Sequence, residues 1–400
     1  MSVQSRSWGL QMVETGLDSE AFEAFLDMLR RFVRERLVPA EPRAFEEDFV
    51  PDDILAEMRD MGLFGLTVPA EYGGPGLSIE QYIEIILEIA WAAPAFRSAM
   101  AISTGIITTA LKLDATEEQR REYFPKLLAG AIASFCLTEP DSGSDSAAMK
   151  TRAVKDGDFY VLNGTKRYIT NGPRAEFFIV MARTSAENLP SNGHVSGFLI
   201  PAGTPGLSVG KHDKKMGQKG AITGDVILED VRIPASALLG GVEGKGFKTA
   251  MKALDGGRLS VAATALGYSR RILASALKYA TERKAFGEPI ANFQLIQAML
   301  ADSRIELYAG ECMLRDATRA ATRGERVSTE AACVKVFASE AATRIADRCV
   351  QIYGGAGYMA EYEAERFYRD TRVYRIYEGT TQILQVVIAK AMLKEFAAAL

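Results

Sequence analysis

Histidine is almost missing from this chain: its 400 residues hold two, His194 and His212. That scarcity argues against a His-rich metal cage and against a proton relay through several imidazoles. Cysteine is scarce too. Cys136, Cys312, Cys333 and Cys349 form no C-x-x-C pair, so no zinc knuckle or thioredoxin-type site is indicated, and free thiols in a reducing compartment are expected. No metal site is expected. No apolar run reaches the ~20 residues that span a bilayer. The net charge of −4 gives no basic field for nucleic acid or an anionic membrane. Met1–Arg6 lack an apolar stretch, and Glu14 and Asp18 follow soon. The N-terminus therefore reads as neither signal nor transit peptide, and a cytoplasmic location is expected. Acid–base chemistry must rest on carboxylates, tyrosines or a cofactor.

What is present falls into three textures, without internal repeats or low-complexity tracts. From about Ser19 to Gly130, Phe22, Phe25, Leu26, Leu29, Phe32 and Val33 recur at helical steps. Pro39 and Pro42 are expected to stop that helix. Asp52 to Met61 is a second amphipathic segment. Ser78 with Gln81 resembles a capping box, and Thr116 to Gln119 opens another helix. From about Phe135 to Gly244 short β-rich runs alternate with Gly and Asn turns, as in residues 159–162, 177–181, 197–200 and 225–228. After Gly246 long helical stretches return, joined at Gly287, Gly324 and Gly354-Gly355. The expected fold class is α+β, mostly α. Its expected units are a helical domain over 1–134, an antiparallel β domain over 135–246 and a helical bundle over 247–400.

Three patterns mislead. Gly206 to Gly210 spells G-x-S-x-G, but a charged turn follows and no later acid–His pair completes a hydrolase triad. Gly355 to Ala360 fits a loose G-x-G-x-x-A, yet it lies between helical stretches and not in a βαβ unit. Arg366, Arg369, Arg372 and Arg375 stand three apart; a solvated helix face paired with Glu361, Glu363, Glu365 and Asp370 is the favoured reading, with an anion-docking stripe as the alternative.

The chemistry-bearing segments are Phe135 to Asp145, Lys166 to Gly172, Glu282 to Gly287 with Phe293-Gln294, and Ile376 to Gln382. Each mixes small residues and hydroxyls with an aromatic or charged group, which suits a large, flat, polar cofactor. With Val68 to Gly74 and Gln351 to Tyr358 they make six motifs in order, and together they resemble the acyl-CoA dehydrogenase family of flavoenzymes over nearly the whole chain. The resemblance implies an N-terminal helical domain, a middle β-barrel-like domain and a C-terminal four-helix bundle. It also implies FAD-dependent α,β-dehydrogenation of an acyl-CoA thioester in fatty acid β-oxidation.

On that resemblance Glu378 of the Tyr-Glu-Gly-Thr motif is the α-proton base. A carboxylate wedged between flavin and an apolar acyl chain is desolvated, which raises its pKa toward the working range. Gly379 lets the thioester approach, and Tyr377 flanks it. Some relatives carry the base just before an Arg on an earlier helix; Gly257 stands there and cannot serve. Flavin contacts are implied for Phe135, Leu137, Thr138, Gly143 and Ser144, with Ser144 also near the CoA arm, and for Tyr168, Ile169 and Thr170. Many family members have Trp where this chain has Tyr168. Arg283, Phe286, Gln294, Gln351, Gly354 and Gly355 are implied for the adenosine diphosphate half, supplied by a neighbouring subunit, and Thr380 and Gln382 complete the site. A guanidinium matches a pyrophosphate; the alternative for Arg283 is a surface pair with Glu282. Asp255 and Arg258 match positions near CoA, or form a structural ion pair.

Substrate size is open. Phe96-Arg97-Ser98-Ala99-Met100 resembles the glutaryl-CoA dehydrogenase subgroup, in which this arginine binds the distal carboxylate. A partner Glu expected seven residues earlier is replaced by Ala90. Arg97 either reads a second carboxylate on the substrate, or points to solvent or pairs with an acid. The family implies an electron-transferring flavoprotein as acceptor and a homotetramer, with no nucleic-acid or membrane partner. Alternatives are a flavin oxidase or monooxygenase relative on the same fold, with the intact Glu378 leaning against nitroalkane oxidase in particular, and a non-catalytic member.

Overall fold

The first apolar stripe forms a helix, α1 (Ser19–Phe32), whose start is fixed by Asp18 accepting the Ala21 N–H at 2.9 Å. The computed structural model describes residues 16–184 and 191–399; Met1–Arg6 and Glu14, read above as no targeting segment, lie outside them. The prolines do not end the helix. Val33–Leu37 forms a wide π turn in which the Val38 N–H reaches back to Val33, and α2 (Val38–Glu47) continues through Pro39 and Pro42. The wide turn has already shifted the hydrogen-bond register, so Pro39 sits in a first turn where a missing N–H matters little. The stop comes at Asp48, in the left-handed region at φ 54°. Its carboxylate accepts from the Gly220 N–H at 2.7 Å and bonds His212 Nε2 at 3.0 Å.

The remaining N-terminal helices are α3 (Asp52–Asp60), α4 (Ile79–Ile89), α5 (Pro94–Ala101), α6 (Thr108–Asp114) and α7 (Glu117–Leu128). The expected capping box forms on α4, and the helix expected to open at Thr116, α7, also carries one. A second π turn, Ile102–Ile107, joins α5 to α6.

The middle strands are β1 (Ala133–Cys136), β2 (Arg152–Asp156), β3 (Phe159–Thr170), β4 (Phe177–Thr184), β5 (Val195–Pro201), β6 (Leu207–Val209) and β7 (Thr223–Pro234). Their order is β1-β4-β2-β3-β7-β6, with β5 on β4. The sheet is mixed, which corrects the purely antiparallel expectation: β1 and β2 both run parallel to β4. Each reaches β4 through enough intervening chain to cross over, so hairpin geometry is not imposed. Register shifts between Leu162 and Gly164 and between Lys166 and Ile169 bend β3 over β7. The G-x-S-x-G run lies on β6, not at a strand-to-helix elbow.

The C-terminal part is built from α8 (Gly246–Glu282), a small hairpin β8 (Lys284–Ala285) with β9 (Glu288–Pro289), α9 (Gln294–Thr322), α10 (Ser328–Tyr353), α11 (Glu363–Thr371) and α12 (Thr381–Ala399). No helix among the described residues is long and apolar enough to cross a membrane. Helices α4 and α8 approach so closely that a Cβ on Gly267 would lie 2.4 Å from the Leu87 carbonyl. One hydrophobic core therefore runs from α1 through α4 and α8 to α10.

A buried ion network ties these layers together. Glu41 on α2, 3% exposed, accepts the Ala93 N–H at 2.8 Å, both terminal nitrogens of Arg271 on α8, and Arg366 at 3.3 Å. Arg271 also reaches Glu363 at 2.8 Å. The arginine stripe is thus not a solvated face. Arg366 is half-buried in this network, Arg369 pairs with Glu365 at 2.6 Å, and Arg375 pairs with Glu340 at 2.7 Å. Asp370 is buried and accepts from Tyr268 and the Gln218 N–H. The reason is tertiary: α11 packs between α10 and α8. Removing one member of a buried charge pair leaves the other uncompensated. Glu41→Ala should lower the unfolding free energy by ~3–5 kcal/mol in urea titrations; a loss under ~1 kcal/mol would remove the network from this role.

Candidate active site

A cavity of about 700 Å³ lies where β1, β3, α8, α11 and α12 meet. The 137–151 loop forms one wall, and a buried pair locks it. Lys166 on β3, with no exposure, donates to Glu139 at 2.7 Å and to the Leu137 carbonyl at 3.2 Å. Glu139 also accepts the N–H groups of Lys150 and Thr151. Burial works to raise the Glu139 carboxyl, but Lys166 and these donors outweigh it and hold it below the ordinary value. The Arg167 N–H binds the Thr138 carbonyl at 2.8 Å, so the loop lies flat along β3. Phe135, Leu137, Thr138, Gly143, Ser144, Tyr168, Ile169 and Thr170 all line the cavity. A Cβ on Gly143 would meet nothing within 4 Å, which leaves open space there.

Glu378 follows the one-turn helix Arg372–Arg375, at φ 54°, and Gly379 follows it at φ 92°. The carboxylate faces the cavity, and its buried Oε2 has no hydrogen-bond partner. Burial pushes this carboxyl up, against the opposing charges of Arg97, Arg258 and Lys335. A Cβ on Gly257 would stand 3.1 Å from Oε2, so glycine there makes room for the Glu378 carboxylate. Tyr377 is pushed up to about 12 by burial, so its hydroxyl stays protonated in the neutral range.

Arg97 on α5 also lines the cavity and is 7% exposed. It neither points to solvent nor pairs with an acid, which removes both bland alternatives. Its Nη2 donates to Ser260 Oγ at 2.7 Å, and its buried Nε has no partner. With Ala90 in place of a Glu, no carboxylate lies within ion-pair distance among the described residues. Asp255 and Arg258 do form the alternative ion pair, at 2.5 Å, and Ser328 donates to Asp255 at 2.6 Å. Arg258 lines the cavity; Asp255 does not.

Other expected residues lie away from the cavity wall. Thr380 Oγ1 accepts the Ile383 N–H at 3.3 Å as a cap of α12, and Gln382 is exposed beside it. Arg283, Phe286 and Gln294 sit on the hairpin and the start of α9, and Gln351, Gly354 and Gly355 at the end of α10. Stacking of Tyr279 on Tyr353, with ring centroids 3.9 Å apart, brings these two groups together on the outer surface. Phe286 is 98% exposed, and Arg283 forms no ion pair with Glu282 among the described residues. Sequence reasoning missed Lys215 to Gln218, which line the cavity with Arg369 and Arg372 of the arginine stripe. Long-range contacts bring that charged turn to α11: Asp370 accepts the Gln218 N–H, and Arg369 donates to the Met216 carbonyl at 3.0 Å.

A cavity with a hydroxyl-rich wall, one desolvated carboxylate and a cationic lining suits an anionic ligand held beside a flat cofactor. Residues 19–131, 134–231 and 244–393 match the N-terminal, middle and C-terminal domains of acyl-CoA dehydrogenase. The chain is 38% identical to the 3-(aryl)acrylate reductase of Clostridium sporogenes over 94% of its own length and 99% of that protein's. It is 39% identical to a caffeyl-CoA reductase-Etf complex subunit of Acetobacterium woodii, over 86% of this chain and 90% of that one. Its structure superposes with a TM-score of 0.87 on a glutaryl-CoA dehydrogenase from Mycobacterium smegmatis in complex with FADH2, at 31% identity, covering 94% and 95% of the two chains. The protein belongs to the acyl-CoA dehydrogenase family, and it is an FAD-dependent oxidoreductase.

The open space at Gly143, the hydroxyls of Thr138, Ser144 and Thr170 and the aromatic Tyr168 fit a flavin wall. Lys166→Met would strand the buried Glu139 carboxylate and release the Leu137 carbonyl. It should lower Tm and reduce the FAD retained through gel filtration well below one per chain; full retention would contradict this role.

Proposed function

We propose that the protein removes the α-proton of an acyl-CoA thioester with Glu378 and yields the 2-enoyl-CoA. The observation that carries this reading is the Glu378 carboxylate: buried, facing the cavity, unpartnered at Oε2 and raised above the ordinary glutamate value by burial. FAD, when bound, supplies the acceptor for the β-hydride. The chain's own residues do the rest. Glu378 takes the proton, Phe135 to Ser144 and Tyr168 to Thr170 shape the cofactor wall, and Gly379 leaves the thioester room beside the base. By microscopic reversibility the protonated Glu378 can return the proton in the reductive direction, and two relatives named as reductases favour testing both directions.

Arg97 carries the substrate reading. A guanidinium this buried with a free Nε is costly unless a ligand supplies the acceptor. A distal carboxylate on a dicarboxylyl-CoA would do so. The partner expected to receive the electrons is an electron-transferring flavoprotein, in keeping with one relative's name. The exposed Phe286 and Leu295 on the outer hairpin and α9 support a homotetramer in which a neighbouring copy covers them. An oxidase on the same fold would instead consume oxygen when substrate is added.

Glu378→Gln should keep bound FAD but lose anaerobic flavin bleaching by acyl-CoA; near-normal turnover would sink the base assignment. In the wild type, kcat/KM should fall as pH drops through the raised Glu378 value, at a higher pH than an ordinary glutamate would give. Arg97→Met should raise KM for glutaryl-CoA about tenfold or more while leaving butyryl-CoA little changed. Equal effects on both esters would remove Arg97 from substrate selection.

A further inference from the structure

Lys335 lies on α10, outside every motif that the function absorbs, and its side chain has no exposure. Its Nζ donates to the Gly379 carbonyl at 2.6 Å. That carbonyl closes a turn in which Glu378 and Gly379 are both left-handed. A glutamate seldom adopts that conformation unless its surroundings hold it there. The bond from Lys335 is a hold of this kind, and it brings a positive charge to the base from behind.

We propose that Lys335 is a positioning residue for the catalytic turn. Its ammonium clamps the Gly379 carbonyl, so that the Glu378 carboxylate is aimed into the cavity, and its positive charge favours the carboxylate over the carboxylic acid. The inference rests on Glu378 being the base.

The charged groups around both partners are few. Glu378 faces Arg97 from α5, Arg258 from α8 and Lys335 from α10, with the Tyr82 hydroxyl on α4 and the neighbouring Tyr377. Lys335 faces Glu378 across the turn, Arg258 from α8 and Glu340 on its own helix. Glu340 is already committed, to Arg375 at 2.7 Å and to the Thr381 hydroxyl at 2.9 Å. Arg97 and Arg258 are likewise bonded elsewhere, to Ser260 and Asp255. Lys335 is thus the cation joined to the backbone of the catalytic turn itself. Burial lowers its ammonium to about 8, so the charged form predominates below that pH.

The signs follow. Without the charge, the desolvated Glu378 holds its proton to higher pH, so the acid limb of kcat/KM moves upward. Lys335→Met removes both donor and charge, Lys335→Gln keeps a donor only, and Lys335→Arg keeps the charge. Each is purified as holoenzyme, its flavin spectrum is recorded, and kcat/KM for an acyl-CoA is followed against pH beside Glu378→Gln. The acid limb should rise by about one pH unit in the Met and Gln variants, equal to about tenfold lower kcat/KM on the acid side. It should return toward the wild-type position in the Arg variant. A uniform loss at every pH, with the limb unmoved, would overturn the proposal and leave Lys335 a packing residue. If the Met variant does not hold FAD, the Gln variant decides; if neither does, the Arg variant decides, since a displaced limb there would overturn the charge role and an unmoved one supports it. Near-normal turnover by Glu378→Gln would instead bring down the base assignment itself, and the two failures are distinguishable.

Discussion

The site depends on keeping one carboxylate dry without letting any cation bond to it. Burying a lone carboxylate costs several kcal/mol, which drives Glu378 toward the protonated form. A cation at ~4 Å returns ~4 kcal/mol at an effective dielectric of about 20, enough to offset much of that. A direct ion pair would overshoot and turn the base into a weak one. The structure avoids overshoot by giving each nearby cation another partner: Arg97 has Ser260, Arg258 has Asp255 and Lys335 has the Gly379 carbonyl. The charges act at a distance, and the carboxylate stays free to take a proton.

Much of the remaining fold serves to hold that balance. Gly267 lets α4 press on α8, and Gly257 on the same helix lets the carboxylate lie against it. The Glu41, Arg271, Glu363 and Arg366 network fixes α2 and α11 on α8, and Asp370 on α11 then holds Gln218 of the middle domain. The catalytic turn sits just beyond α11, so these contacts set where Glu378 stands relative to the cavity wall. The wall itself is set by the Lys166 and Glu139 pair, a contact between a strand and a loop 27 residues away.

The parts legible in the sequence were those fixed by local chemistry. The capping box at Ser78, the helix start at Thr116, the strands around residues 159–162 and 177–181 and the start of α8 at Gly246 declare themselves through spacing and turn residues. The cavity residues from Phe135 to Thr170 and the Glu378 turn were legible as motifs. Features set by long-range packing were not. Pro39 reads as a helix stop until the π turn before it is seen. The arginine stripe reads as solvated until α11 is placed between α10 and α8. Lys215 to Gln218 carry no signature of their own, and Lys335 is one lysine in an alanine-rich helix. Their roles come from what lies across the fold, which spacing along one chain does not encode.

The scarcity of histidine takes on a mechanistic meaning once the cavity is seen. His212 bonds Asp48 at the junction of α2 and the middle domain, and neither His212 nor His194 lines the cavity. Among the described residues lining it, the guanidinium groups of Arg97, Arg258, Arg369 and Arg372 donate hydrogen bonds and have no lone pair to offer as acceptors. Tyr377 stays protonated and so offers no phenolate base, and burial lowers the Lys215 ammonium without supplying a negative charge. Glu378 is the one carboxylate on that wall. With Glu378 the single carboxylate among the described residues lining it, the cavity holds no second one to compete for a proton. An acidic α-carbon presented there therefore meets one acceptor, whose basicity is set by burial and by three cations held at a distance.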